Sequence, residues 1–250
     1  MWHKPQLMTV IADLLLAAGA AMLLMALGLG AARLPLFPLK EVVFVQDLRE
    51  VQRGEVERAL SGLMRGNFFS VNLESLRGAL EKLPWVRKAE VRRSWPSRLE
   101  VRVEEHQPVA RWGEGGGQLV NTYGEVFAAG LPPARLDGLP LLAGPMGTAP
   151  DVLRRFDDFA RQLQPLSRQP RQLVLSPRLA WQLRLDDGLL LELGREQPKA
   201  PVGMRLARFV DNYPRVLAGR TPRPLVVDLR YPNGLALRLA AAGNEGKGTK

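Results

Sequence analysis

The distribution of hydrophobic positions divides the chain into an apolar N-terminal segment and a longer part with the short periods of helices and strands. No charged residue occurs between Leu14 and Ala32, a stretch rich in Leu, Ala, Met and Gly. As a helix this stretch would be about 28 Å long, which matches the hydrocarbon core of a bilayer. We therefore predict a transmembrane helix over residues 13–33, preceded by a short N-terminal segment, residues 1–12.

Two alternatives compete with a membrane anchor. A buried core helix is disfavoured because such helices are seldom apolar on every face. A cleavable signal peptide is the more serious alternative, since Gly30-Ala31-Ala32 supplies small residues. Its apolar region is normally only about 7–15 residues long, so a retained anchor is favoured. The direction of the helix stays open, because Lys4 lies on one side and Arg33 and Lys40 on the other.

Residues 37–106 show the order strand, helix, helix, strand, strand. Strands are predicted over Lys40–Val45, Val86–Arg93 and Leu99–Glu105, the last with strict alternation of apolar and charged residues. Two helices are predicted between the first two strands. The first has its apolar positions at Val56, Leu60 and Leu63, and the second at Leu73, Leu76, Leu80 and Leu83. Asn72 is the predicted N-terminal cap of the second helix, and Pro84 is predicted to end it. A sheet with both helices on one face makes a self-contained β-α-α-β-β domain.

Residues 107–242 are predicted to form a second, mostly antiparallel β domain with helices. Hairpin turns are indicated at Tyr123-Gly124, Asp186-Asp187-Gly188 and Asn233-Gly234. Helices are predicted over 152–163 and 202–217, and the last hairpin pairs 225–230 with 235–240. The polar tail, residues 243–250, is expected to be flexible. The fold class is therefore α+β.

The side-chain chemistry gives no indication of an enzyme. The chain has no cysteine, which excludes thiolate nucleophiles, disulfides and thiolate metal sites. Its two histidines are His3 and His106, too few for a zinc site built from His and Cys. Carboxylate pairs such as Asp157-Asp158 are adjacent in sequence, so their side chains diverge. We predict no catalytic residue, no metal, no cofactor and no small-molecule substrate.

Basic residues exceed acidic ones, 35 to 25, and the net charge is +10. Part of this surplus lies on the two strands of the first domain, with Trp85 and Trp95 at their ends: Arg87, Lys88, Arg92, Arg93, Arg98 and Arg102. A solvated strand face is the favoured interpretation. An anionic membrane surface or an acidic partner is the alternative, and nucleic acid is disfavoured in a membrane-anchored chain.

Several short motifs occur in a characteristic order: Leu83-Pro84-Trp85-Val86, Val91-Arg92-Arg93-Ser94-Trp95-Pro96, Pro108-Val109-Ala110-Arg111-Trp112, Trp181-Gln182-Leu183, Leu193-Gly194-Arg195, Arg205-Leu206-Ala207-Arg208-Phe209-Val210 and Val227-Asp228-Leu229-Arg230-Tyr231. This ordered set resembles the FtsQ/DivIB family of bacterial cell-division proteins, and its proteobacterial FtsQ branch in particular. A single motif such as Trp-Pro would carry little weight.

The resemblance implies a POTRA domain for residues 37–106 and a single-pass protein of the inner membrane at the division septum. It also implies a cytoplasmic N-terminus and periplasmic domains, which settles the direction of the helix. Members of the family are non-enzymatic scaffolds that recruit FtsB and FtsL and link them to FtsW and FtsI.

The resemblance further implies that FtsB adds a strand to the last hairpin of the β domain. The edge residues are then Leu235, Leu237 and Leu239, and Arg178, Arg230 and Tyr231 match further partner-contacting positions. Leu239 departs from the family pattern, which has Trp near this point. Tyr231 has an alternative role as a turn aromatic that packs on its own hairpin.

Two other classes of function are weaker matches. A POTRA-bearing secretion or outer-membrane assembly component would bind extended strands, but repeated POTRA units or a membrane barrel are expected in that class. A peptidoglycan-binding or peptidoglycan-cutting domain would need a polar cleft with an acid and a base, which the sequence does not indicate.

Overall fold

The structure is a computed structural model that describes residues 5–33, 38–39, 41–64, 66–216, 224–231 and 234–239. The flexible tail predicted for 243–250, Asn233 of the last turn and the end of the last predicted strand at Ala240 lie outside the described residues. The chain divides after His106 into two compact units, each described by itself below.

An N-terminal helix, α1, runs from Pro5 to Arg33. It is rich in strong helix formers and is about 44 Å long at the α-helical rise. By length and composition one segment, Met8–Gly28, is a candidate membrane span with a mean hydropathy of 2.3. The helix starts before the predicted 13–33 and continues through Asp13.

The first unit contains the predicted β-α-α-β-β order, which confirms this part of the fold class. Its elements are β1 (Glu41–Phe44), α2 (Arg53–Ser61), α3 (Leu73–Leu80), β2 (Val86–Ser94) and β3 (Arg98–Glu105). The sheet order is β1-β3-β2, with β1 parallel and β2 antiparallel to β3. Leu99, Val101 and Val103 are buried, as the alternation on β3 predicts.

Both helices of this unit are shorter than their hydrophobic periods indicated. Val56 and Leu60 are buried on α2, but Leu63 is exposed beyond the helix end, because the chain leaves the helix at Gly62. On α3 the buried positions are Leu76 and Leu80. Leu83 lies in the following turn, where its amide donates to the Leu80 carbonyl at 3.0 Å. Pro84 restrains the residue before it, so the helix ends a full turn early.

Asn72 caps α3 as predicted. Its side-chain oxygen accepts a hydrogen bond from the Ser75 amide at 3.1 Å, which satisfies one of the unpaired donors of the first helical turn.

Arg93 shows that part of the basic surplus is structural. From the end of β2 its guanidinium donates to the carbonyl oxygens of Phe68 at 2.8 Å and Val71 at 2.8 Å. A third hydrogen bond reaches the Phe69 carbonyl at 3.2 Å. These contacts fix the loop between α2 and α3 against the sheet.

The second unit is built on one mixed sheet with helices. Its strands are β4 (Pro108–Trp112), β5 (Gln118–Asn121), β6 (Val126–Phe127), β7 (Leu141–Ala143), β8 (Pro170–Leu175), β9 (Ala180–Leu185), β10 (Leu190–Arg195), β11 (Pro224–Asp228) and β12 (Ala236–Leu239). The helices are α4 (Pro133–Gly138), α5 (Ala149–Leu163) and α6 (Val202–Val216), with a 3-10 turn at Gln164–Leu166.

The nine strands lie in the order β12-β11-β10-β9-β8-β7-β4-β5-β6. Five of the eight pairings are antiparallel, in agreement with a mostly antiparallel domain. The parallel pairings are β10 with β11, β7 with β8 and β4 with β7. Parallel neighbours need crossover connections, and α6 supplies the one from β10 to β11.

Helices α5 and α6 bury their apolar faces in the core of this unit, through Val152, Phe159, Leu163, Val202, Leu206 and Phe209. The strands contribute Leu173, Leu183, Leu191 and Val227 to the same core. Since β9, β10 and β11 are fixed by this packing, the strand that follows them at the end of the sheet has a defined position.

We expect Asn72→Ala to destabilise α3 locally. The loss of a cap of this kind costs about 1 kcal/mol, which is roughly a fivefold increase in the open population. Hydrogen exchange of the α3 amides measures it, with faster exchange as the expected result. Gln52→Ala is the matched control, because Gln52 holds the cap position of α2 without a side-chain cap hydrogen bond. If Gln52→Ala accelerated hydrogen exchange in α2 as much as Asn72→Ala accelerates it in α3, the capping role of the Asn72 side chain would be contradicted.

Candidate functional site

The last strand, β12, forms one edge of the nine-stranded sheet. It pairs antiparallel with β11, from Asp228 opposite Ala236 to Pro224 opposite Leu239. Among the described strands β11 is its sole neighbour. The other side of an edge strand presents backbone N–H and C=O groups that a further strand can pair with.

The three leucines predicted for this edge occupy different environments. Leu235 and Leu237 are half-buried and pack against the hydrophobic core. Leu239 is 41% exposed. Packing by the first two holds the strand against the domain, and β12 presents outward its backbone and the side chains of Ala236, Arg238 and Leu239.

Arg230 follows β11 and is held by two carboxylates. Its Nε and Nη2 atoms donate to Asp228, with the shortest distance 2.5 Å from Nη2 to Oδ2. Nη2 also lies 3.3 Å from Oε2 of Glu192 on β10. The guanidinium therefore connects β10 to the end of β11 and is pre-oriented. Among the described residues no hydrogen bond engages its Nη1 atom.

The Asp228 carboxylate is the stronger of these two anchors. The hydrogen bond from the Arg230 side chain holds the pKa of Asp228 below its ordinary value, against the opposing effect of partial burial. The same hydrogen bond raises the pKa of Arg230. Both residues are therefore charged at neutral pH.

Tyr231 continues from Arg230 and its side chain is 56% exposed. Its backbone carbonyl accepts a hydrogen bond from Nη1 of Arg208 on α6 at 3.2 Å. The backbone of Tyr231 is thus tied to a core helix while more than half of its side chain remains accessible.

Beneath Arg230, Gly194 brings β10 and α6 close together. The register of β10 against β9 shifts between Glu192 and Gly194, and Gly194 has a φ of +75°. A Cβ atom at this position would lie 2.9 Å from Cγ of Arg230 and 3.3 Å from Nη1 of Arg205. A residue with a side chain would be strained in this backbone conformation and would force the Arg230 side chain to shift.

Arg205 occupies the buried side of this junction and is only 2% exposed. Its Nη1 atom donates to the carbonyl oxygens of Leu193 and Arg195, the residues on either side of Gly194. A buried guanidinium that bonds to strand carbonyls from α6 fixes the shape of the β10 bulge. Through the bulge it also supports the stem of Arg230.

Arg178 lies in the turn between β8 and β9. The strand registers place this turn at the same end of the sheet as Tyr231, since Ala180 pairs with Arg195 and Glu192 with Asp228. Strands β9 and β11 are two spacings apart, about 10 Å. The structure thus brings Arg178, Arg230 and Tyr231 to one end of the sheet, whereas Leu239 lies toward the other end of β12.

A groove of about 630 Å³ adjoins Arg178. Its apolar lining includes Leu175, Leu179 and Trp181, and its charged lining includes Arg178 and Arg195. Neither of these two arginines forms an ion pair among the described residues. Arg155, also in the groove, is engaged by Glu196 at 3.1 Å and lies over the Trp181 ring. The groove thus combines apolar side chains with these two arginines, and Asp151, Asp158 and Glu196 also line it.

Five residues of this region were not predicted as functional from the sequence: Glu192, Gly194, Arg205, Arg208 and Asp228. Four of them lie in the ordered motifs, but spacing alone does not show that those motifs meet in space. Among the described residues no group of three His, Cys, Asp or Glu side chains is placed to hold a metal ion.

Comparison with known proteins agrees with this architecture. Residues 37–106 match the model of the FtsQ-type POTRA domain. Residues 110–230 match the C-terminal model of the cell division protein FtsQ/DivIB.

Individual relatives are similar over nearly the whole chain. The cell division protein FtsQ of Bordetella pertussis is 40% identical, over 96% of this chain and 93% of that protein. The FtsQ protein of Burkholderia pseudomallei is 39% identical, over 96% and 95%. That of Nitrosospira multiformis is 38% identical, over 95% and 99%.

We expect the stabilising contribution of the Asp228–Arg230 pair to depend on pH. Because the pKa of Asp228 is lowered in the folded protein, the contribution is complete above the ordinary aspartate pKa, about 3.9, and is lost as pH falls through the lowered value. Asp228→Asn should lower the melting temperature at pH 7, and the difference from the unsubstituted protein should shrink in acid. Melting curves between pH 7 and pH 3 measure this.

Asp211→Asn serves as the control for loss of a carboxylate, since Asp211 is exposed on α6 and has no ion pair among the described residues. A difference between Asp228→Asn and the unsubstituted protein that stays constant down to pH 3 would contradict the assigned role of the pair.

Proposed function

We propose that the chain is a single-pass scaffold of the bacterial divisome and that it binds the FtsB–FtsL pair through the β12 edge. The basis is that the chain belongs to the FtsQ/DivIB family of cell-division proteins. The family is a cell-division scaffold family and not a known enzyme family. In this proposal α1 anchors the chain in the inner membrane at the septum, with a cytoplasmic N-terminus and periplasmic domains. FtsW and FtsI join the larger complex, and the chain catalyses no reaction.

The observation that carries the proposal is the position of β12 at the end of the sheet. A four-residue edge strand held by Leu235 and Leu237 offers its outer backbone groups to an incoming strand. Recognition by strand addition takes affinity from main-chain hydrogen bonds and specificity from side chains beside the edge. Ala236, Arg238 and Leu239 are the exposed side chains of this strand, and Tyr231, which follows β11, is exposed as well.

The arginines at the same end of the sheet supply charge recognition. A carboxylate of FtsB can accept hydrogen bonds from Nη1 of Arg230 while Asp228 and Glu192 keep the other side of the guanidinium oriented. Arg178 and Arg195 suit a second acidic position, because their side chains border the groove without an ion pair among the described residues.

Tyr231→Ala is expected to weaken FtsB binding at least about tenfold, because exposed aromatic anchors carry much of the energy of such interfaces. The measurement is titration of the full chain in detergent or nanodiscs with the periplasmic part of FtsB, alone and with FtsL. Tyr123→Ala is the matched control, since Tyr123 is 59% exposed and lies beside β6 at the opposite edge of the sheet.

Unchanged affinity in Tyr231→Ala, with both variants folded, would contradict the proposed site. Absence of binding by the unsubstituted chain to FtsB, with or without FtsL, would contradict the proposed partner and leave the fold standing.

Charge reversal at Arg178 should weaken the same complex by about tenfold without loss of stability, since no ion pair is broken among the described residues. Arg178→Glu is also a cleaner test than Arg230→Glu, which would place a third carboxylate beside Asp228 and Glu192. The matched control is Arg171→Glu, an exposed arginine on β8 outside this end of the sheet. If Arg178→Glu and Arg171→Glu reduce affinity equally, the effect is one of overall charge and the contact at Arg178 is wrong.

A further inference from the structure

An aromatic cluster at one end of the first unit joins two exposed rings to one buried ring of the core. We define this aromatic patch as Phe68, Phe69 and Trp95. Trp95 is 67% exposed and Phe69 is 46% exposed, whereas Phe68 is buried between them. The Phe68 ring contacts Phe69 edge-on at 5.2 Å between centroids and Trp95 at 6.0 Å. Exposed apolar surface of this kind marks a contact with a protein or a membrane.

The patch is held in place by contacts already described. Arg93 bonds the carbonyl oxygens of Phe68 and Phe69, so the loop that carries these rings is fixed to the end of β2. Trp95 lies in the turn that follows β2. The backbone that carries the two phenylalanine rings is therefore held against the end of β2.

The patch lies at the end of the sheet where the chain enters from α1. Strand β1 is parallel to β3, with Glu41 opposite Arg98, and their side chains form an ion pair at 3.0 Å. Trp95 precedes Arg98 by three residues. The first residue of β1 and the aromatic patch thus share one end of this unit.

The connection between α1 and β1 limits how far this end can lie from the bilayer. From Arg33 to Glu41 the chain takes eight steps, at most about 28 Å when fully extended. Its residues 34–39 are Leu, Pro, Leu, Phe, Pro and Leu, an uncharged apolar run. Such a run is more stable at the membrane interface than in water, which draws the following domain toward the surface.

We propose that Trp95 and Phe69 insert into the membrane interface next to the transmembrane helix and seat the POTRA domain on the bilayer. This goes beyond the partner-binding edge and rests on the proposed anchoring by α1. An indole ring is well matched to the interface, since its apolar body enters the acyl boundary while its N–H group stays near water.

The test is depth-dependent quenching of tryptophan fluorescence in the full chain, reconstituted in nanodiscs with lipids brominated on the acyl chains. Trp2→Phe is introduced throughout, because residue 2 precedes the membrane helix. Trp85, Trp112 and Trp181 are buried and give a constant background. We expect the tryptophan fluorescence of the chain to be lower in brominated lipid than in unbrominated lipid. This difference should disappear in the Trp95→Phe variant, which keeps an aromatic ring at this position.

Two results would overturn the proposal. One is Trp95 emission that aqueous iodide quenches and bromolipid does not, which would leave the patch available to a protein partner. The other is Trp95 emission that neither quencher affects, which would mean that this chain itself covers the ring. Co-elution of the chain with the nanodiscs checks the anchor separately, so a failed anchor is distinguished from a failed interfacial contact.

Discussion

The candidate partner-binding region depends on the absence of a side chain at Gly194. Three elements meet there: β10 carries the glycine, α6 sends Arg205 beneath it, and the chain after β11 lays the stem of Arg230 across it. A Cβ atom would displace at least one arginine, and the positive φ adds backbone strain for any other residue. Arg230 is adjacent to Tyr231, and Arg208 of α6 donates a hydrogen bond to the Tyr231 carbonyl. The positions of Arg230 and Tyr231 at this end of the sheet therefore depend on the close packing around Gly194.

The basic surplus of the chain divides into structural and available charges. Arg93, and Arg205 through its Nη1 atom, donate hydrogen bonds to backbone carbonyls. In a loop or a bulge these neutral acceptors would otherwise be left exposed or unpaired. Arg230 is intermediate, because two carboxylates orient it and one of its nitrogen atoms is still unused among the described residues. Arg178 and Arg195 border the groove, and neither forms an ion pair within the part of the chain that the structure describes. Net charge alone would not have separated these roles.

Sequence patterns predicted the elements with long or strict periods and missed those fixed by tertiary contacts. Helices α5 and α6 and strand β3 lie close to their predicted positions, and Asn72 caps α3 as expected. Strand β7 was missed because three residues between turn formers carry no readable alternation. The site residues came from the family resemblance rather than from periodicity. The partners of Arg230 could not be predicted, since Glu192 and Asp228 become neighbours only through the parallel pairing of β10 and β11.

That parallel pairing also explains why the edge suits an added strand. Because α6 carries the chain across from β10 to β11, the last hairpin is attached to the sheet by β11 alone. The side chains that pack β12 against the domain are two half-buried leucines, Leu235 and Leu237. A partner strand would pair the outer groups of β12 and stabilise the hairpin together with the complex. Main-chain hydrogen bonds depend little on ionic strength, whereas the arginine contacts are screened by salt. In the proposed complex the two contributions to affinity would therefore be separable by ionic strength, with strand pairing remaining when the charge contacts are weakened.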